Sequence, residues 1–180
     1  MTARLDPIAA AGIERLWQAL AERLGADDSL QLGYHPHVTL AVLPDTAPVA
    51  PIDAAVARLA TIWTVQPVTL AGLGVFPGTP PVLWAAPVPT SGLLAWHSEL
   101  HAALTSLPVH PHYRPGAWMP HVTLAKEAHW PAERLLEAAL SAWDGKLQGS
   151  LDRIDLVRFR PVTILRSEPL VPAPDQPAPA

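Results

Sequence analysis

Six residues, Pro-His-Val-Thr-Leu-Ala, occur twice without change, at 36–41 and again at 120–125. His37 and His121 therefore stand 84 positions apart in a chain of 180. Imidazole titrates near neutrality, so one histidine can be neutral while its twin is protonated, which makes a base and an acid at one pH. A threonine hydroxyl two residues on, Thr39 or Thr123, reaches what the imidazole touches and can donate to a phosphoryl oxygen. In-line displacement at phosphorus needs an activated nucleophile on one side and a protonated leaving oxygen on the other. Two His-x-Thr strands on opposite walls of a groove would supply both without a metal ion.

Side chains alternate along a strand, so His37, Thr39 and Ala41 share one face while Val38, Leu40 and Val42 share the other. His121, Thr123 and Ala125 oppose Val122 and Leu124 in the same way. The Val/Leu face is expected to pack on helices, and the His/Thr face to meet substrate. A lone strand histidine is ordinarily structural, but two identical faces in matching slots favour function.

Other patterns carry less. His35/His37 and His110/His112 are His-x-His pairs, a zinc-binding spacing, yet Pro36 and Pro111 punctuate both and no third ligand sits at a recognisable distance. "HSELH" at 97–101 lacks glutamate directly after its first histidine, so the zinc-protease signature is absent and both histidines read as exposed. "GLGVFPG" at 72–78 is followed by a strand where a dinucleotide loop requires a helix, and reads as a hairpin turn. "HPHYRPGAW" brings Tyr113, Arg114 and Trp118 in front of the second motif, where they could stack a base and steer phosphate, or simply be a proline-rich loop with part-buried aromatics. Arg158 and Arg160 share a face of a late strand, pointing into the groove or out to solvent.

The elements that must position these residues also come in two copies. Ile13, Leu16, Trp17, Leu20 and Leu24 mark an amphipathic helix, with Asp6 to cap it, Pro7 in its first turn and Gly25 to end it. The first motif follows as a strand over about 33–43. Ile52, Val56, Leu59 and Trp63 mark the next helix, and strands at 65–76 and 81–88 close the half. The order then restarts. Leu93, Trp96, Leu100, Leu104 and Leu107 form a helix, the second motif begins at Met119, a helix opens at Pro131, and strands at 146–160 and 162–170 end the fold. This duplication predicts an α+β fold of two pseudo-symmetric lobes, each an antiparallel sheet with helices on its outer face, and the active site in the groove between them. One bilobal domain is expected over 1–167, with repeats at about 5–88 and 89–167 and a Pro/Ala-rich disordered tail over 168–180.

The composition sets outer bounds. Nearly half the residues are apolar and cysteine is absent, which removes thiolate catalysis, disulfides and thiolate metal sites. A net charge of −4 argues against a long surface for duplex DNA. No signal peptide or membrane span is visible, so a cytoplasmic monomer is expected, with no metal or other cofactor.

With "HVTL" at 37–40 and 121–124, each after a proline, the chain resembles the two-histidine phosphoesterase superfamily, whose members include RNA 2′,3′-cyclic phosphodiesterases, also called 2′–5′ RNA ligases. The likeness runs over about 5–167 and includes "FPGTPPVLWAAPV", similar to the family's Phe-containing strand, turn and partner strand. It implies that His37 and His121 are acid and base, that Thr39 and Thr123 bind phosphate, and that Phe76 stacks on substrate. Members often place Arg shortly after the second motif; this chain has Lys126, which lacks the bidentate fork. The expected activity is metal-independent opening of 2′,3′-cyclic phosphates on nucleotides or RNA ends to 2′-phosphomonoesters, reversible toward 2′–5′ ligation. The alternative is a binding module that uses the same groove without turnover.

Overall fold

Asp6 accepts a hydrogen bond from Ala9 N at 2.8 Å, Pro7 opens the first turn and Gly25 closes the helix at φ 63°, so α1 (Pro7–Leu24) begins and ends where its sequence signals stand. It is one of five α-helices in the computed structural model, which describes residues 1–173. Ahead of it lies β1 (Thr2–Leu5), a strand too short to show a period in sequence. The first half continues with a single turn α2 (Asp28–Gln31), β2 (His37–Thr39), α3 (Val49–Ala60), β3 (Gln66–Phe76) and β4 (Val82–Pro87). The second half repeats the order as α4 (Ser91–Ala103), β5 (Val122–Ala125), α5 (Ala132–Leu140), β6 (Leu147–Arg158) and β7 (Thr163–Pro169).

The α+β class and the antiparallel pairing are as expected, but the lobes are not two sheets. All seven strands form one sheet in the order β2-β1-β6-β3-β4-β5, with β7 also on β6. The halves join where Gln66–Leu70 of β3 pairs with Leu147–Leu151 of β6. Leu151 pairs with both Leu5 and Gln66, and Arg153 with both Arg4 and Pro169. Hence β3 and β7 share the edge of β6 opposite β1, and the sheet forks there.

Each motif strand is carried by the long strand of the other half. β2 is held by β1 on β6, while β5 is held by β4 on β3. The helices cross over likewise, α1 packing on α5 and α3 on α4. This matched exchange is the pseudo-two-fold relation of the molecule. It also bends the sheet until β2 and β5, the two ends of the strand order, approach within 8 Å between Cα atoms, with no ladder between them among the described residues.

Val38, Leu40, Val122 and Leu124 are buried, as their face of the strand requires. Val42 is not, with 38 % exposure, because β2 stops at Thr39 and alternation no longer governs the chain beyond it. The ordered fold also passes the expected boundary at 167. β7 continues to Pro169, Leu170 is buried, and Val171 N donates to Trp63 O at 2.9 Å while its own carbonyl accepts from Val65 N at 2.8 Å. The rest of the expected tail, 174–180, lies outside the described residues. Among those residues no helix is long and apolar enough to cross a membrane.

Candidate active site

A cavity of about 840 Å³ lies between the two motif strands, and His37, Thr39, His121 and Thr123 all line it. The first motif thus meets the second in one space. His37 and His121 are oriented by the same device: His37 Nδ1 lies 2.7 Å from His35 O, and His121 Nδ1 lies 2.8 Å from Met119 O. A carbonyl only accepts, so each ring carries its hydrogen on Nδ1. Nε2 is left without a protein partner among the described residues. Pro36 and Pro120 help to set this turn, since a residue before proline is driven to extended backbone.

An aromatic ring rests against each imidazole. Tyr34 sits 4.8 Å from His37 between centroids, and Phe76 meets His121 edge-on at 5.0 Å with Trp84 stacked behind it. Behind His37, Tyr34 Oη donates to Asp155 Oδ2 at 2.7 Å, and Ser167 Oγ donates to Asp155 Oδ1 at 2.6 Å. Asp155 is fully buried, and its charge works against the desolvation of His37. Desolvation still wins: burial pushes the His37 pKa down to about 4, and burial also lowers that of His121. Both imidazoles are therefore neutral at neutral pH, whereas the duplicated motif predicts one of each.

The strand edges that face each other across the groove have carbonyls with no ladder partner. Side chains from elsewhere satisfy them. Trp118 Nε1 donates to Thr39 O at 2.9 Å and Trp17 Nε1 to Thr123 O at 3.0 Å. One residue further on, Ser29 Oγ donates to Leu124 O at 2.9 Å, and His101 Nε2 lies 3.3 Å from Leu40 O. Each half supplies the caps for the other half's motif strand, which fixes where His and Thr point.

The remaining candidates divide. Tyr113 and Lys126 line the cavity, as does Phe76, although its ring is taken up by Trp84 and His121. Arg114 and Trp118 do not line it. Arg114 Nε donates to Val109 O at 3.0 Å, and Trp118 stacks on His97 at 4.0 Å with the rings 3° from parallel. The histidines of "HSELH" are not exposed: His97 is 3 % exposed with Nε2 2.8 Å from Tyr113 O, and it packs on His101. They serve the layer under the groove. Arg158 and Arg160 both line the cavity, which settles a direction that alternation left open. Among the described residues no three His, Asp or Glu side chains converge as a metal centre would need.

Tyr34, Trp84 and Phe159 belong to the site and escaped the reading of the sequence. Laying one half over the other would have found Phe159, since the chain's two phenylalanines, Phe76 and Phe159, end β3 and follow β6 at equivalent places.

Residues 48–162 match the 2′-5′ RNA ligase superfamily. The chain belongs to that superfamily. The matched span takes in the second His-Val-Thr-Leu and starts after the first, so the superfamily match alone does not reach His37. The fold does. TT0787 of Thermus thermophilus superposes with a TM-score of 0.62 at 22 % identity, over 94 % of this chain and 95 % of that one. LigT of E. coli complexed with 3′-AMP gives a TM-score of 0.61 at 18 % identity, over 94 % and 99 %. At such identities the likeness is one of fold. No curated protein matches the chain.

Proposed function

We propose that this member of the superfamily is a metal-independent phosphodiesterase that hydrolyses 2′,3′-cyclic phosphates of nucleotides or RNA ends to 2′-phosphomonoesters. The observation that carries the reading is the paired Nδ1 lock, which presents two unpartnered Nε2 atoms to one cavity. His121 Nε2 takes a proton from water as its oxygen attacks phosphorus. The bond from phosphorus to the 3′-oxygen breaks, and His37 Nε2 gives that oxygen its proton. Thr39 and Thr123 donate to the non-bridging oxygens, where negative charge gathers. A bound phosphodiester anion raises the pKa of the histidine beside it and so favours the protonated partner that the reaction needs. The pseudo-two-fold relation allows the mirror assignment, and in the ligation direction the roles exchange.

The neutral state of both imidazoles also suits a second reading, a module that binds a phosphorylated nucleotide without turning it over. Incubation with 2′,3′-cyclic AMP in excess EDTA separates the two. Turnover is expected, and substitution of His37→Ala or His121→Ala should cut it by about 10²–10⁴-fold each with the circular dichroism unchanged. Thr39→Ala and Thr123→Ala should cost less. Absence of turnover by the wild type on cyclic mononucleotides, cyclic-ended oligonucleotides and 2′–5′ linkages leaves the binding reading in its place.

A further inference from the structure

The two halves of the site match in their motifs and differ behind them. Residues paired directly across neighbouring strands share a face of the sheet, so each motif threonine heads a row of side chains. In the first half the row is Thr39, Thr2, Asp155 and Ser167, across β2, β1, β6 and β7. In the second it is Thr123, Trp84 and Gly74, across β5, β4 and β3. One row is polar from end to end, and the other sets an indole against a glycine. The carboxylate of Asp155 therefore has no counterpart in the row behind His121 among the described residues.

Asp155 is fully buried, with Tyr34 Oη donating to it at 2.7 Å, Ser167 Oγ donating at 2.6 Å and Arg4 Nη1 3.8 Å away. Burial pushes the Tyr34 pKa up, so the phenol keeps its proton. With that proton committed to Asp155, it is Thr2 Oγ1 that donates to Tyr34 Oη, at 2.7 Å. Tyr34 then sets its ring 4.8 Å from His37, within the range at which a π face attracts a cation. Of the charges that bear on His37, Asp155 favours an imidazolium there, while the amino group of Met1 and His121 oppose it. Burial brings the Met1 amino group down to about 5, which removes its charge at neutral pH. On the other side the ammonium of Lys126 disfavours a charge on His121. Burying a carboxylate costs stability even when it is paired, so its place in this row points to chemistry.

We infer that Asp155 is a positioning residue for His37: through Tyr34 it stabilises the positive charge that this imidazole carries during the reaction, on one side of the groove alone. This rests on the phosphodiesterase reading above and adds to it that the two histidines are not interchangeable. His37 bears the charge from the start if it is the acid, and after taking a proton if it is the base. The pH profile of kcat on 2′,3′-cyclic AMP reads it in either role. Asp155→Asn keeps an acceptor for Tyr34 and Ser167 and removes the charge. It should move one limb of the profile about one pH unit toward acid, the alkaline limb if His37 is the acid and the acid limb if it is the base. Arg4→Gln, which removes the cation beside the carboxylate, should move the same limb toward alkaline pH, and it carries the test if Asp155→Asn does not fold. Limbs that stay in place, or move the opposite way, overturn the inference and leave the activity standing. If the wild type turns over no cyclic phosphate, NMR titration of the His37 ring in the presence of inorganic phosphate decides. A pKa about one unit lower in Asp155→Asn than in the wild type keeps the charge effect without the activity; an equal or higher one removes it.

Discussion

A single hydrogen bond from Nδ1 to a carbonyl two residues upstream holds each motif histidine, and it fixes the tautomer before any substrate arrives. The same burial that orients His37 keeps it neutral, to about pH 4, and burial lowers His121 in the same direction. For a reaction that needs one imidazole protonated and one neutral, the free protein is then in its productive form only below the ordinary histidine pKa of about 6.5. kcat/KM, which reports the free protein, should fall as pH rises above that value. kcat, which reports the complex, should hold to higher pH because the phosphodiester anion raises the histidine pKa values. Steady-state rates from pH 4 to pH 9 test this, and a kcat/KM maximum above pH 7 would sink it. The apparent values belong to the pair and not to either ring.

Neighbouring elements hold the motif strands by their edges. A strand pair that lacks a ladder must still satisfy its carbonyls, and two indoles, a serine and a histidine do so here. On the His121 side the support is steric as well. A Cβ added at Gly74 would lie 2.4 Å from Trp84 Cζ2, in the ring that backs Phe76 and through it His121. Gly74→Ala should therefore displace that stack, with a loss of about 1–3 kcal/mol in urea unfolding and a fall in kcat greater than the rise in KM. Full activity and full stability in this variant would show that the stack does not support His121.

For the molecule as a whole, the exchange of strands and helices between halves packs the two copies of the duplication into one sheet with shared helix layers. It also buries titratable groups. His37 and His97 both have pKa values brought down to about 4 by burial, while in the unfolded chain they titrate near 6.5. The unfolded state binds more protons in that window, so stability that is complete above about pH 6.5 is lost as pH falls toward 4. Unfolding free energies measured at pH 7.5 and pH 5 should differ by on the order of 4 kcal/mol, about 2 from each histidine, in favour of the higher pH. Equal values, or greater stability at pH 5, would contradict this account of the two histidines.

Much of the site could be read along the chain. The period of two in His-Val-Thr-Leu separates a packing face from a chemical face, and the period of 3.6 places the helices, because both are properties of local backbone geometry that need no partner. The repeat itself shows that the chemistry comes in two copies. Which strands pair is different in kind: β3 and β6 meet across about 80 residues, and nothing in either segment names the other. The exchange of halves, the extra strand β1 and the fork at β6 follow from the global packing of apolar faces. So do the fates of single side chains. Phe76 and Phe159 are the same residue at equivalent places, yet one is stacked on Trp84 and the other lines the groove with Lys126 and Arg160 over its ring. Sequence by itself determined the two His-x-Thr faces and the order of elements that carries them. Only the tertiary structure decided that both faces open on one cavity, that burial leaves both imidazoles neutral, and which aromatic rings pack against the two histidines, since each depends on atoms brought together from distant parts of the chain.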